Sequence, residues 1–134
     1  VKNVMQVPFF IEGNNANTLN KIKELADSIS NKVSEVTSEQ REKYHLAAVF
    51  ANNFTNLMYS IAADYLEKEG LNFDNLLPII AETATRLKDD KPQAWQTGPA
   101  KRGDKVVIDK HIGMLDDPAL KIIYKQLSEY ITST

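Results

Sequence analysis

Residues 37–70 read TSEQREKYHLAAVFANNFTNLMYSIAADYLEKEG, and this stretch decides the fold. Thr37 followed by Gln40 is a capping box, with Thr37 as N-cap and Gln40 at the third helical position. Leu46, Phe50, Phe54, Leu57, Met58, Ile61 and Tyr65 recur at helical spacing, which makes one apolar stripe. Gly70 stands where a helix ends in a left-handed residue. The pattern predicts a helix of about 32 residues, long for a globular domain. Covering each large member of the stripe is worth about 1.5–3 kcal/mol, so this helix is expected to be the spine of the core.

Upstream, Val4-Met-Gln-Val-Pro-Phe-Phe-Ile11 is an apolar run closed by Glu12-Gly13-Asn14. It reads as a buried strand ending in a turn. Pro8 has no N–H for a ladder, which places that strand at an edge or makes it irregular there. From about Asn17 to Asn31, the spacing of Leu19, Ile22, Leu25 or Ala26, and Ile29 predicts an amphipathic helix. Lys32 to Val36 reads as a short second strand. Together these form a β-α-β unit. Two parallel strands do not stand alone as a sheet, and nothing after residue 37 reads as a strand. The expectation is a chain cut from a larger α/β protein near the end of its sheet. The start, Val1-Lys2-Asn3, has no initiator Met and no signal-peptide pattern, which suggests a processed or truncated chain.

Downstream the pattern stays helical. A second helix is expected from Asp74, through Leu76, Ile80, Ala84 and Leu87, with Pro78 tolerable near its first turn. A polar connector runs from Lys88 to Gly103. Asp104 caps a third helix carrying Ile108, Ile112 and Leu115. Asp117-Pro118, an N-cap before an N1 proline, opens a last helix with Leu120, Ile123, Tyr124, Leu127 and Ile131.

The 134 residues allow one compact core. Apolar residues make up 43% and charged residues 25%, the balance of a soluble globular protein. The net charge of −2 leaves no basic surplus for nucleic acid and no acidic surplus for disorder. The absence of cysteine removes disulfides, thiolate zinc sites and cysteine nucleophiles, and fits a cytoplasmic protein. No apolar run reaches the roughly 20 residues of a membrane-spanning helix. HExxH spacing, a GxSxG elbow, a P-loop and a GxGxxG turn are all missing.

Two places could carry chemistry. On the long helix, at about 100° per residue, His45, Asn52, Asn53 and Asn56 fall within one sector of roughly 100°, with Ser60 beside them and Arg41 one turn earlier. Amides donate and accept, so they orient carbonyls, and histidine moves protons. The face is either a cleft wall or simply a solvated, Asn-rich surface. The connector is the second place. Trp95-Gln-Thr-Gly-Pro-Ala-Lys-Arg-Gly-Asp104 combines turn formers with Thr97, Lys101 and Arg102. It reads either as a ligand-contacting loop, with Arg102 holding a carboxylate or phosphate, or as an ordered turn before a capped helix. Arg102-Gly103-Asp104 spells an adhesion tripeptide, a poor reading in a cysteine-free chain without a secretion signal. His111, near the end of the third helix, suits the helix dipole.

Three segments carry a family resemblance. Tyr44-His45-Leu-Ala-Ala-Val-Phe-Ala-Asn-Asn-Phe54 resembles the opening of the helical domain of the Rossmann-like oxidoreductases grouped under domain of unknown function 2520. Thr97-Gly98-Pro99 with Arg102-Gly103-Asp104 resembles the second motif of that family, and His111 with Leu115 its third. Phe10-Ile11-Glu12-Gly13 is similar to the segment preceding this domain. The architecture is similar to that of pyrroline-5-carboxylate reductase, ketopantoate reductase and 6-phosphogluconate dehydrogenase. There an N-terminal Rossmann domain binds NADP, while a helical C-terminal domain closes the substrate cleft and often dimerises.

The resemblance implies a mainly α fold. It would be a helical domain like the C-terminal domain of 6-phosphogluconate dehydrogenase (residues 37–134), preceded by the remnant β-α-β edge of a Rossmann sheet (residues 1–36). It implies action on a small-molecule substrate; the long apolar helices, more than a small four-helix layer needs to bury, predict a homodimer, and charge and hydropathy predict no nucleic acid and no membrane as partner. NADP would be held chiefly by a Rossmann domain outside this chain, and the chain alone would be inactive, with little nucleotide affinity. His45 stands where ketopantoate reductases carry a catalytic Lys, and Asn53 at their second Asn. Val49 replaces the first Asn, so the residue set departs from theirs. His45 and Asn53 are the implied catalytic pair, with Asn52, Asn56, Thr97, Arg102 and His111 as implied substrate contacts. A decayed dimerisation domain and a non-enzymatic metabolite-sensing module stay open as alternatives.

Overall fold

The computed structural model describes residues 4–134, so the expectation drawn from Val1-Lys2-Asn3 lies outside the described residues. The fold is mainly helical with a small parallel β-α-β edge, and the chain divides into two compact units, one ending at Phe73 and one spanning Asp74–Thr134.

In the first unit, β1 (Phe9–Ile11) and β2 (Val33–Glu35) pair in parallel, with Phe9, Phe10 and Ile11 opposite Val33, Ser34 and Glu35. The helix α1 (Ala16–Asp27) crosses between them. The first strand is shorter than the apolar run predicts. Val4–Gln6 winds into a 3₁₀ turn, and the strand begins only after Pro8, the residue that cannot join a ladder. Ser30 secures the displaced segment. Its hydroxyl, almost fully buried, donates to the carbonyls of Val7 and Met5 and accepts from the N–H of Lys32. Asn15 caps α1 by accepting from Thr18 N–H. Of the two candidates for the inner face of α1, Ala26 is buried and Leu25 is exposed. Ile11 completes the small buried centre of this unit.

The expected long helix is present as three consecutive segments: α2 (Ser38–Ala48), a π-helical stretch (Val49–Phe54) and α3 (Thr55–Lys68). The capping box forms as predicted. Gln40 N–H donates to Thr37 Oγ1 at 3.2 Å, and Thr37 N–H to Gln40 Oε1 at 2.8 Å. Gly70 ends the run at φ 69°, and the N–H of Leu71 closes back on the Leu66 carbonyl. The expectation that this helix is the spine of a buried core is corrected. Leu46, Phe50, Phe54 and Leu57 are 61%, 62%, 47% and 48% exposed. Periodicity marks which face is apolar; among the described residues of the first unit its first part stays uncovered, while Met58, Ile61 and Tyr65 are half-buried. Phe50 and Phe54 instead pack edge-to-face on each other, 5.3 Å between centroids.

In the second unit, the helix expected from Asp74 begins as a 3₁₀ turn (Phe73–Leu76) and becomes α4 (Leu77–Arg86), with Pro78 in its first turn. The connector is structured. It holds a 3₁₀ turn at Pro92–Trp95, with the Arg86 guanidinium 4.8 Å over the Trp95 ring, and a single helical turn α5 (Pro99–Arg102). Asp104 and Asp117 cap α6 (Lys105–Met114) and α7 (Pro118–Ser133) as the sequence predicts. Ala100 is buried, and its carbonyl accepts from the Thr132 hydroxyl at 3.1 Å, which ties α5 to α7. No helix of the described residues is long and apolar enough to cross a membrane.

Candidate functional site

The helix that carries His45 is anchored at its start. Glu12, just after β1, reaches the first turn of α2. Its Oε2 accepts from Ser38 Oγ at 2.6 Å and from Arg41 Nη2 at 3.0 Å, while Oε1 accepts from Ser38 N–H at 3.0 Å. Arg41 also donates to Ser38 Oγ at 2.9 Å. A carboxylate at a helix N-terminus satisfies free N–H groups and complements the dipole. One turn on, Tyr44 stacks on Phe10 of β1, 4.4 Å between centroids. Strand and helix are thus joined by a charged clamp and an aromatic pair, and His45 follows directly.

The Ser38 hydroxyl and backbone N–H, with Arg41, hold the Glu12 carboxyl below the usual carboxylate range against a smaller opposing effect of burial. The sign of the pH dependence follows. A carboxyl depressed in the folded state adds stability above its unfolded pKa of about 4.3, and that share is lost as pH falls through the folded value. Urea midpoints should therefore drop faster between pH 5 and pH 3 in the wild type than in Glu12→Gln. Parallel acid limbs would show that the clamp carries no pH-dependent stability.

After His45 comes the π-helical stretch. Single π turns inside α-helices are rare and frequent at functional sites, because i→i+5 bonding accommodates an extra residue. The turn re-aims side chains. In a plain α-helix Asn53 lies about 80° around from His45. The π stretch sets the phase back by up to about one residue, roughly 100°, and brings Asn53 nearly into line with His45. By the same reckoning Asn52 and Asn56 fall on one line about 80° to one side, with Ser60 between that line and His45. His45, Asn52, Asn53 and Asn56 are all exposed. Asn52 Nδ2 donates to Asn53 Oδ1 at 3.3 Å, and Thr55 Oγ1 donates to the Phe50 carbonyl inside the π turn.

The remaining candidates lie in the second unit. Gly98 (φ 106°) and Gly103 (φ 66°) bracket α5, so the Thr97-to-Asp104 motif is a compact turn that needs glycine at both ends. Thr97 and Arg102 are exposed on it, and Arg102 makes no ion pair with Asp104, whose carboxylate caps α6 by accepting from Val107 N–H at 3.1 Å. His111 is half-buried in the last turn of α6. Its Nδ1 lies 2.7 Å from the Tyr124 hydroxyl of α7. Tyr124 reads in the sequence only as part of an apolar stripe. Its partner lies 13 residues away on another helix, with no local pattern to mark the pair.

The profile described as domain of unknown function (DUF2520) matches residues 7–131. The chain belongs to the DUF2520 family. No curated protein matches this DUF2520 chain. Among solved structures, it is 45% identical to a putative NADP oxidoreductase from Bacteroides fragilis, with a TM-score of 0.96 over 98% of this chain and 51% of that one. It is 27% identical to a protein from Thermotoga maritima, with a TM-score of 0.75 over 97% of this chain and 53% of that one. The DUF2520 chain thus spans about half the length of each solved relative.

Proposed function

We propose that this chain is the substrate-binding and dimerising half of an NADP-dependent oxidoreductase that reduces a small carbonyl or imine. The π turn that aligns His45 and Asn53 on an exposed helix face carries the reading. Membership of DUF2520 and 45% identity to a protein named as a putative NADP oxidoreductase support the reaction class.

The residues of this chain do not fit NADP. The turn after β1 has a single glycine, Gly13, and a Cβ there would already lie 2.7 Å from the Leu19 backbone nitrogen. That glycine serves close packing of the turn on α1 and leaves no cradle for a pyrophosphate. Nucleotide binding, and with it the hydride, is assigned to the half that this chain does not contain.

The chain's own residues manage the substrate and the proton. The Asn53 amide donates to one lone pair of a carbonyl oxygen and orients it, whereas an imine nitrogen, with its single lone pair, is left to His45. His45 as imidazolium gives its proton to that oxygen or nitrogen as charge develops on it. Asn52 and Asn56, stacked on the neighbouring line, hold the remainder of the substrate. Within the second unit, Thr97, Arg102 and His111 are the candidates for substrate contact. Arg102, with no carboxylate partner among the described residues, suits a substrate carboxylate.

The test is NADPH oxidation by the full-length protein against small keto acids and imines. General-acid catalysis is worth about 10²–10⁴-fold, so His45→Ala should lower kcat by that factor with NADPH affinity unchanged. NADPH binding without turnover on every substrate, or full activity in His45→Ala, would overturn this assignment.

A further inference from the structure

The second unit holds a groove of about 380 Å³ between the N-terminal half of α6 and the C-terminal half of α7. We propose that it binds a free amino acid with an apolar side chain. Its volume lies at the small end of ligand pockets, roughly 300–1,000 Å³. A helix about 10 Å across would fill it within one turn, so a small molecule fits where a partner helix does not. The floor is apolar, made by Ile108 and Ile112, both half-buried. An aliphatic side chain resting there leaves water at both faces of the contact.

Charge decides the class of ligand. On the α7 wall, Lys125 and Glu129 pair with each other at 3.9 Å. On the α6 wall, Lys105 and Asp109 stand one turn apart, each exposed, and make no ion pair or side-chain hydrogen bond among the described residues. An ammonium and a carboxylate left open one turn apart over an apolar floor complement a zwitterion carrying an apolar tail. The ligand carboxylate goes to Lys105, in the first turn of α6. The ligand ammonium goes to Asp109. The Ser128 hydroxyl, which makes no hydrogen bond among the described residues, lines the α7 wall of the groove as a further donor or acceptor. This assignment is independent of the oxidoreductase reading, since it needs neither NADPH nor turnover.

The test is calorimetric titration of the full-length protein with L-leucine in the absence of nucleotide. Methyl NMR of Ile108 and Ile112 provides a second readout on the wild type. Saturable binding is expected, with shifts at both isoleucine methyls. Lys105→Met and Asp109→Asn are surface changes that leave the fold intact, and each should weaken binding tenfold or more. The compound 4-methylpentanoate, which lacks the ammonium, should weaken by the same factor as Asp109→Asn. No saturable binding, binding at wild-type strength in both variants, or equal affinity for 4-methylpentanoate would overturn the assignment.

Discussion

Replacing Phe50 and Phe54 together by glutamate is expected to convert the full-length protein from a dimer to a monomer. Leu46, Phe50 and Phe54 form an exposed apolar ridge along α2 and the π stretch, continued on α3 by the half-buried Met58 and Tyr65. Scattered apolar residues on a surface need no explanation, but a contiguous row of large ones marks an interface. A two-fold axis through the ridge would pack it against its own copy, so each substitution appears twice. Buried aromatic anchors at an interface centre are worth about 2 kcal/mol or more each. Two of them, replaced by charges that must be desolvated, should weaken association by at least about a thousandfold, or roughly 4 kcal/mol. Light scattering at micromolar concentration should read half the wild-type mass. A wild-type monomer, or a double variant that stays dimeric, would remove the ridge from the interface. A dimer built on this ridge leaves the His45 line outside the seam, because that line lies about one residue's rotation, roughly 100°, from Leu46.

Local chemistry explains what was legible in the sequence. Thr37 with Gln40, Asp104, Asp117 before Pro118, and Gly70 each satisfy backbone groups within a few residues, so their capping roles follow from spacing. The parallel β-α-β edge followed from two apolar runs and one amphipathic period. The extent of the first strand did not, because Val4–Gln6 is drawn into a 3₁₀ turn whose segment is held by Ser30 from 23 and 25 residues away. Nor did the exposure of the ridge: a period of 3.6 identifies an apolar face and is silent about what lies against it.

The candidate site divides in the same way. His45, Asn52, Asn53 and Asn56 share one helical run, so their common face was readable from number alone. Glu12, Ser38 and Arg41 were not readable as a cluster, because Glu12 comes from 26 and 29 residues before its partners, and turn residues with a charge are common. The π turn did leave a trace. Leu46, Phe50, Phe54 and Met58 repeat every four residues without the three-residue steps of a true 3.6 period. In an uninterrupted α-helix each such step drifts about 40°, so Met58 would stand about 120° from Leu46. Setting the phase back by about one residue within Val49–Phe54 restores the four to nearly one line, and Tyr65 falls on the same line.

That alignment makes the second prediction. Inserting one alanine between Ala47 and Ala48 adds a residue to α2 ahead of the π stretch, which already absorbs one. Helix content by circular dichroism should be unchanged, since α-helical bonding accommodates the added alanine. Two other properties should fail together. Everything after the insertion turns by about 100° relative to the start of α2, which carries Asn53 some 80° off the His45 line and Phe54, Met58 and Tyr65 off the ridge. Displacements of about 1 Å at a reacting centre already cost on the order of 10²-fold, so NADPH oxidation should fall by at least the factor expected for His45→Ala. The dimer should weaken as well, because half of the ridge no longer faces its copy. An insertion variant that keeps wild-type turnover and mass would show that the alignment set by the π turn serves nothing that matters. Loss of mass with turnover retained would assign it to the interface alone. Loss of both, with the helix intact, is the result that ties the polar line and the apolar ridge to one local irregularity in the backbone.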